Sequence, residues 1–210
     1  MTTEPGLRER KKRRTRAALT DAALELFSAK GYDATRVEEI SAAVEISPRT
    51  FFRYFDGKEE VALGQLSAMD EDAITALATR PAGEAPLAAL RAAHTAMLDR
   101  LYAEEGGPQR FSATHRLIDS SPTLLAASLR RAAATEDRLA LIIAERQDTD
   151  ASTDMRCHLL VRLVFTSARL GVETACRRGA NCDPDQLRAT VDTAIRLATA
   201  GLPAEWSDWV

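Results

Sequence analysis

The chain has 210 residues, of which 45% are hydrophobic and 28% are charged, a composition typical of a soluble globular protein with one or two domains. No run of about 18 apolar residues occurs and the N-terminus is highly charged, so we expect a cytoplasmic protein without a membrane span or secretory signal. Cys157, Cys176 and Cys182 lack CxxC spacing, which argues against a disulfide framework or a zinc site and favours idle thiols.

The net charge of −3 is unevenly distributed, because residues 1–58 carry twelve Lys and Arg against nine Asp and Glu, whereas the remainder carries 16 against 22. Seven of the twelve cations fall within residues 8–16, a cluster that suits either phosphate binding or a solvated basic tail. Apolar residues then recur at helical spacing up to Phe27, and Gly31 can end the helix. We predict a first helix over residues 8–30.

The segment from Thr35 to Phe55 predicts two short helices joined by a tight turn. Thr35 and Glu38 have capping-box spacing, so the first helix is expected to start at Arg36. Ser47 followed by Pro48 is a strong signal for the start of the second helix. So short a connection predicts either a helix-turn-helix or an ordinary αα-corner.

The second helix favours the DNA-binding alternative. Four of the chain's eleven aromatic residues lie between Phe51 and Phe55, and Arg49, Thr50 and Arg53 lie beside them. Arginine and threonine can contact base edges in a major groove, whereas the aromatic residues can hold the helix in place.

At these residues the sequence resembles the TetR family of bacterial transcriptional regulators. The matching segments are Ala43 to Ser47, Thr50 to Phe55 (Thr-Phe-Phe-Arg-Tyr-Phe) and the loop Asp56 to Glu59. Two positions depart from the family pattern. Glu45 stands where the family usually has Gly, at a position that tends to need positive φ, and Phe52 stands where many members have a phosphate-contacting Tyr.

The resemblance implies that the basic stretch, Arg36, Tyr54 and Lys58 contact phosphates and that Arg49, Thr50 and Arg53 face the bases. The predicted DNA-binding set is Arg13, Arg14, Arg36, Ser47, Pro48, Arg49, Thr50, Phe52, Arg53, Tyr54 and Lys58.

The rest of the chain predicts helices only. A fourth helix starts near Lys58 and ends before Pro81, and five more follow at about 86–104, 109–120, 122–146, 153–178 and 184–201. We therefore predict an all-α protein of about nine helices. Residues 1–57 form a three-helix DNA-binding domain, and residues 58–210 form a C-terminal bundle for ligand binding and dimerisation.

The last two helices carry apolar stripes that predict a close helix–helix contact. The residues are Leu160, Val164, Ala168, Gly171 and Ala175 in one helix and Leu187, Val191, Ile195 and Ala198 in the next. Such stripes suit either a four-helix dimer interface or the chain's own core, and the TetR resemblance favours the dimer. Trp206 and Trp209 are expected to pack on this bundle or to form a disordered tail.

No catalytic motif is present, and His94, His115 and His158 lack metal-ligand spacing, so we predict neither an enzyme nor a metal or cofactor site. The middle helices carry many large apolar residues, which predict either ordinary core or a pocket for a small hydrophobic ligand. Arg162 and Arg169 favour an anionic ligand if they face it. The candidate pocket residues are Met97, Leu101, Tyr102, Phe111, His115, Ile118, Leu125, Leu129, Ile142, Arg162, Phe165 and Arg169.

The sequence thus predicts a repressor that binds a palindromic operator in double-stranded DNA as a homodimer. A ligand among the middle helices would tilt the fourth helix and change the spacing of the two recognition helices. The alternative is a DNA-binding adaptor whose C-terminal bundle binds a protein partner.

Overall fold

The computed structural model describes residues 6–178, 183–203 and 206–209. Within these ranges the secondary structure is helical without strands, which confirms the all-α prediction. None of these helices combines the length and the apolar character needed to cross a membrane. The described helices are α1 (Leu7–Lys30), α2 (Val37–Ala43), α3 (Pro48–Phe51), α4 (Lys58–Ala78), α5 (Pro86–Ala103), α6 (Gly107–Ser120), α7 (Pro122–Arg146), α8 (Met155–Arg178), α9 (Pro184–Thr199) and a 3₁₀ turn (Trp206–Asp208).

The predicted bounds of α4 to α9 agree with these ranges to within about two residues, because glycine, proline and serine mark most of the ends. Residues 179–182, which include Cys182 and most of the predicted break before α9, lie outside the described residues.

The chain forms two compact units. Unit 1 contains Met1–Gln65 and Ala113–Ser128, and unit 2 contains Leu66–Ser112 and Leu129–Val210. These units differ from the predicted domains 1–57 and 58–210, because parts of α6 and α7 group with the N-terminal helices. The functional division at residue 57 stays a prediction.

Gly31 ends α1, as the sequence predicts. Its φ of 89° lies in the region that favours glycine, and its N–H donates to the Phe27 carbonyl at 2.9 Å.

The start of α2 differs from the prediction. Thr35 is buried, and its hydroxyl donates to the Gly31 carbonyl at 2.8 Å instead of capping the helix. The residue before the helix is Arg36, whose N–H donates to the Glu39 carboxylate at 2.8 Å. The prediction of a Thr35–Glu38 capping box was therefore wrong, because Thr35 is used to hold α2 against the end of α1.

Unit 2 is built around a close contact between α8 and α9. Gly171 makes the approach possible, because a Cβ at this position would lie 2.7 Å from the Val191 Cα. The buried side chains of α8 include Leu160, Val161 and Val164, each 0% exposed. Burial of apolar area here supplies the main stabilisation of these two helices.

The C-terminal 3₁₀ turn is anchored to the start of α8 by Arg156. Its guanidinium donates to the carbonyls of Trp206 and Trp209 at 3.2 and 3.1 Å and lies 4.7 Å above the Trp206 ring. Asp154 orients this guanidinium through bonds of 2.7 and 2.8 Å, which lower the pKa of Asp154 to about 2. Of the two predicted alternatives for the tryptophans, packing is therefore the one observed.

Candidate nucleic-acid interface

The segment from Pro48 to Phe55 presents its charged residues to solvent and buries two aromatic rings. The Ser47 hydroxyl accepts a hydrogen bond from the Thr50 N–H at 3.1 Å, and Pro48 follows at the first helical position, as predicted. Phe51 and Phe55 are 0% and 3% exposed, with ring centroids 5.5 Å apart. The helix is short, and its stability comes from this burial.

The predicted base-reading residues share the open side of this segment. Arg49 and Arg53 are exposed and lie one helical turn apart, and Thr50 is half-buried with its hydroxyl 2.9 Å from the Ser47 hydroxyl. Phe52 is 54% exposed and meets the buried Phe51 ring edge-on. An exposed guanidinium can donate two hydrogen bonds to a guanine, so this surface has the donors that base recognition requires.

The turn between α2 and α3 is a Schellman motif with a glutamate at the position usually held by glycine. The Glu45 N–H donates to the Ala42 carbonyl at 3.1 Å, and the Ile46 N–H donates to the Ser41 carbonyl at 3.0 Å. Glu45 has a φ of 55°, which confirms that this position requires positive φ. The turn sets the angle between α2 and α3, at the cost of backbone strain at Glu45.

Tyr54 lies between the end of this segment and the basic part of α1. Hydrogen bonding from Arg53 is the largest effect on the Tyr54 phenol, and together with Thr15 and the positive charge of Lys11 it lowers the pKa of Tyr54. The phenol therefore lies in a positively charged environment of the kind that attracts phosphate.

The basic residues of α1 divide into two groups. Arg13 and Arg14 are exposed, in keeping with the predicted phosphate contacts. Arg16 instead donates to the Tyr54 carbonyl and, at 2.9 Å, to the Glu60 carboxylate, while its guanidinium lies 4.1 Å above the Phe55 ring. Arg16 thus holds the segment from Pro48 to Phe55, the recognition segment, in place. No periodicity in the sequence distinguishes it from its neighbours.

The Lys58 side chain is also used for contacts within the protein. Its ammonium donates to the carbonyls of Tyr32, Asp33 and Thr35 at 2.8, 3.2 and 3.2 Å and lies 4.3 Å above the Tyr32 ring. An ammonium has three donors, and all three are used here. The predicted phosphate contact by Lys58 is therefore corrected: Lys58 ties the start of α4 to the connection between α1 and α2. The side chain of Arg36 is exposed, and its phosphate contact stays a prediction.

The predicted dimer-interface residues mostly form the chain's own core. Of the predicted set, Leu160, Val164, Leu187, Val191 and Ile195 are at most 3% exposed in the single chain. Ala168, Gly171 and Ala175 are buried too, and Ala198 is half-buried. The assignment was wrong for the buried residues because α8 and α9 turn these stripes toward each other, whereas Gly171 and Ala198 also line a groove on the other face of the pair.

The other face of the α8–α9 pair forms a groove of about 760 Å³. Two leucines at the groove, Leu170 and Leu197, are 54% and 75% exposed. Small and uncharged residues line the remainder: Ser167, Gly171, Thr174, Gln186, Ala189, Thr190, Thr193, Ala194 and Ala198. A surface of this kind is typical of a helix–helix interface.

The predicted ligand-pocket residues are divided between the two units and differ in burial. Within unit 2, Met97, Leu101 and Phe111 are buried, Tyr102, Ile142 and Phe165 are half-buried, and Leu129 is 48% exposed. Within unit 1, Ile118 is buried, His115 is half-buried and Leu125 is 45% exposed. The pocket prediction was wrong for Leu125 and Leu129, because their positions on α7 face solvent.

The two arginines proposed for an anionic ligand lie near a buried carboxylate. Glu136 is 8% exposed, and its oxygens lie 3.8 Å from Arg162 Nε and 3.9 Å from an Arg169 guanidinium nitrogen. Burial raises the pKa of Glu136, and the two arginines oppose that shift. Arg162 has a 57% exposed side chain, so it lies at a partly solvated edge.

His94 is the histidine of unit 2 whose pKa is shifted most from its ordinary value. It is 4% exposed and meets the Phe165 ring edge-on at 5.9 Å between centroids. Burial lowers the pKa of His94 to about 4, so its imidazole is neutral at pH 7. None of the described residues hydrogen bonds to this imidazole.

Comparison with known proteins agrees with this arrangement. Residues 19–63 match the family described as bacterial regulatory proteins of the tetR family, and residues 84–203 match the MftR C-terminal domain family. The HTH-type transcriptional regulator TcmR of Streptomyces glaucescens is 44% identical over 205 residues, which cover 96% of this chain and 90% of that protein.

Solved structures show the same fold. A putative TetR-family regulator from Mesorhizobium loti matches with a TM-score of 0.54 and 21% identity, over 90% of this chain and 96% of that one. A TerR/AcrR family regulator from Aquifex aeolicus matches with a TM-score of 0.55 and 18% identity, over 87% and 98%. The tetR family match and the similarity to the regulator TcmR agree with the prediction of a regulator and not an enzyme. Because both the N-terminal and the C-terminal family match and the similarity to TcmR spans nearly the whole chain, this chain belongs to the TetR family of bacterial transcriptional regulators.

Proposed function

We propose that this chain is a repressor that binds a palindromic operator as a homodimer and is released by a small hydrophobic ligand. The observation that carries the DNA-binding part is the exposure of Arg49 and Arg53 on a segment anchored by the buried rings of Phe51 and Phe55. Rigid anchoring with exposed donors is what direct readout of bases requires. A protein bound to the bacterial chromosome acts in the cytoplasm.

Within this proposal, Arg49 contributes base recognition and the exposed cations of α1 contribute phosphate contacts. Selection of bound duplexes from a random pool should recover a palindrome, since a two-fold symmetric dimer reads two equivalent half-sites about 34 Å apart. Replacing Arg49 with Ala should relax the preference at one base pair per half-site, at a cost of roughly 1–3 kcal/mol.

Lys12→Ala is the matched control, because Lys12 is an exposed cation of α1 remote from the α2–α3 turn in sequence. It should weaken binding to all sequences alike and reduce the salt dependence. Unchanged base preference in Arg49→Ala, measured by the same selection, would exclude Arg49 from base recognition.

Dimerisation is proposed to use the outer groove of the α8–α9 pair. A second copy related by a two-fold axis would place the Leu170 and Leu197 of each chain on the other chain's uncharged groove, which removes apolar area from water on both sides. Leu197→Glu should therefore yield a folded monomer in analytical ultracentrifugation.

Leu141→Glu is the control for this experiment, since Leu141 is 61% exposed but lies on α7. It should leave the oligomeric state unchanged. A dimer that survives Leu197→Glu, or one that Leu141→Glu disrupts equally, contradicts the proposed interface.

Ligand release is supported by the polar group buried in unit 2. The neutral imidazole of His94 can donate or accept one hydrogen bond, and Met97 and Leu101 follow it along α5 at spacings of three and seven residues. A ligand with an apolar body and one polar group fits such surroundings. Addition of such a compound to the purified protein–operator complex should lower the affinity for the operator, measured as binding of purified protein to operator DNA.

A protein-binding adaptor is the second candidate function. It is favoured by Met155 and Leu159 at the start of α8, which are 75% and 46% exposed. Release of the operator by a small molecule alone, without a second protein, would decide for the ligand sensor. Transcription from an operator–reporter fusion with and without the regulator then measures the sign of regulation.

A further inference from the structure

Unit 1 contains a cavity of about 500 Å³ behind the helix-turn-helix. Its walls are the last turns of α1, the connection from α1 to α2 and the second half of α6. Leu24, Phe27 and Leu117 supply buried apolar surface, at 9%, 1% and 6% exposure. A cavity of this size is within the range that holds a drug-sized molecule.

The cavity is also lined by a polar side chain whose hydroxyl has no hydrogen-bond partner among the described residues. Tyr32 is 5% exposed, and none of the described residues hydrogen bonds to its phenol. Burial, and then the negative charges of Glu59 and Asp33, raise the pKa of Tyr32 to about 12. The phenol therefore stays protonated at pH 7, and its O–H can donate to a molecule in the cavity.

Among the charged residues that line the cavity, Arg116 is a cation without an ion-pair partner in the described part of the chain. Arg116 of α6 is exposed and forms no ion pair with any described residue. Lys30, the other cation of the lining, is paired with Glu39. Asp33 places one carboxylate at the same cavity, so Arg116 is the cation of the lining that remains available to an acidic group.

We propose that this cavity binds a small amphiphilic anion, with its apolar body against Leu24, Phe27 and Leu117 and its acidic group bound by the Tyr32 phenol and Arg116. The site belongs to the DNA-binding unit and is separate from the ligand site proposed in unit 2. The Tyr32 and Asp33 carbonyls that bind Lys58 lie in the same wall, so the bound anion contacts the segment that ties α1 and α2 to the start of α4.

The test uses 1-anilinonaphthalene-8-sulfonate, a fluorescent amphiphilic anion, titrated into the full-length protein without DNA. The titration should show a set of sites with a stoichiometry of one probe molecule per chain, and decanoate should displace the probe from these sites. Tyr32→Phe removes only the hydroxyl, and Arg116→Glu reverses an exposed charge. Each should raise the Kd of these sites by about two- to tenfold, the range for loss of one hydrogen bond or one charge contact.

Arg130→Glu is the matched control, because Arg130 is an exposed arginine of α7 that does not line the cavity. It should leave all binding of the probe unchanged, and thermal melts should show that all variants are folded. Absence of probe binding, equal Kd values in wild type, Tyr32→Phe and Arg116→Glu, or the same effect in Arg130→Glu would each overturn the proposal. Because no DNA is present, these results are independent of the proposed operator binding and release.

Discussion

Replacement of Glu45 by glycine should make the protein more stable. Glu45 is exposed, and its side chain has no partner among the described residues, so its removal breaks no interaction. Its φ of 55° is a conformation that a residue with a Cβ adopts at a cost of about 1–2 kcal/mol. Glycine avoids that cost but loses roughly 0.5–1 kcal/mol through the greater freedom of its unfolded chain.

The net expectation is a gain of about 0.5–1 kcal/mol in the free energy of unfolding, which for a chain of this size raises Tm by about 1–4 °C. Urea titration followed by circular dichroism measures the free energy directly. Asp148→Gly is a suitable control, because Asp148 has a φ of 50° in another loop but its short side chain tolerates this region better. It should gain less than Glu45→Gly.

Glu45→Gln separates the strain from the charge. It keeps the Cβ and should leave stability unchanged, but it removes a negative charge beside the recognition segment. Both Glu45 variants should therefore bind duplex DNA about two- to fivefold more tightly at low salt, the effect of one surface charge. If Glu45→Gly loses stability, or if Glu45→Gln gains as much stability as Glu45→Gly, the turn is not strained as described.

Three further predictions concern single side chains. Lys58→Met should lower the free energy of unfolding by about 1–3 kcal/mol, because three carbonyls lose their donor. It should leave the salt dependence of DNA binding unchanged, whereas Lys12→Ala should lower the salt slope by about one. The opposite pattern would show that Lys58 contacts phosphate. His94 has a pKa of about 4 against an ordinary value of 6.5, so the unfolded state binds its proton first on acidification, and stability should fall by roughly 3 kcal/mol between pH 6.5 and 4. Urea titrations across this range should show a smaller fall in His94→Leu, and an equal fall would contradict the burial of a neutral imidazole. Arg156→Ala should free the C-terminal turn and shift the fluorescence of the chain's two tryptophans to longer wavelength, and an unchanged spectrum would show that the turn is held by other contacts.

The sequence predicted the limits of the helices and the form of the helix-turn-helix because these depend on neighbouring residues. Ser47 and Pro48 start α3, Gly31 ends α1, and Glu45 adopts positive φ, each through bonds that span about five residues or fewer. The preference of a residue for a cap or a turn is a property of the local backbone, so it can be read from the chain alone.

The partners of charged and apolar side chains could not be predicted in the same way. Lys58 and Arg16 resemble their basic neighbours in sequence, yet Lys58 binds carbonyls 23 to 26 residues away and Arg16 reaches Tyr54 and Glu60. Whether such a cation faces solvent or the protein depends on which backbone groups the fold brings within hydrogen-bond distance.

The same limit applies to the helical bundle. The stripes on α8 and α9 were evident from their spacing, but an apolar stripe shows only that a helix needs a partner. Tertiary structure determined that the partner is the other helix of the same chain, since Gly171 and Val191 approach more closely than any larger side chain allows. The helix-turn-helix was thus determined locally by capping and turn preferences, whereas packing between distant segments decided which side chains remain exposed to solvent.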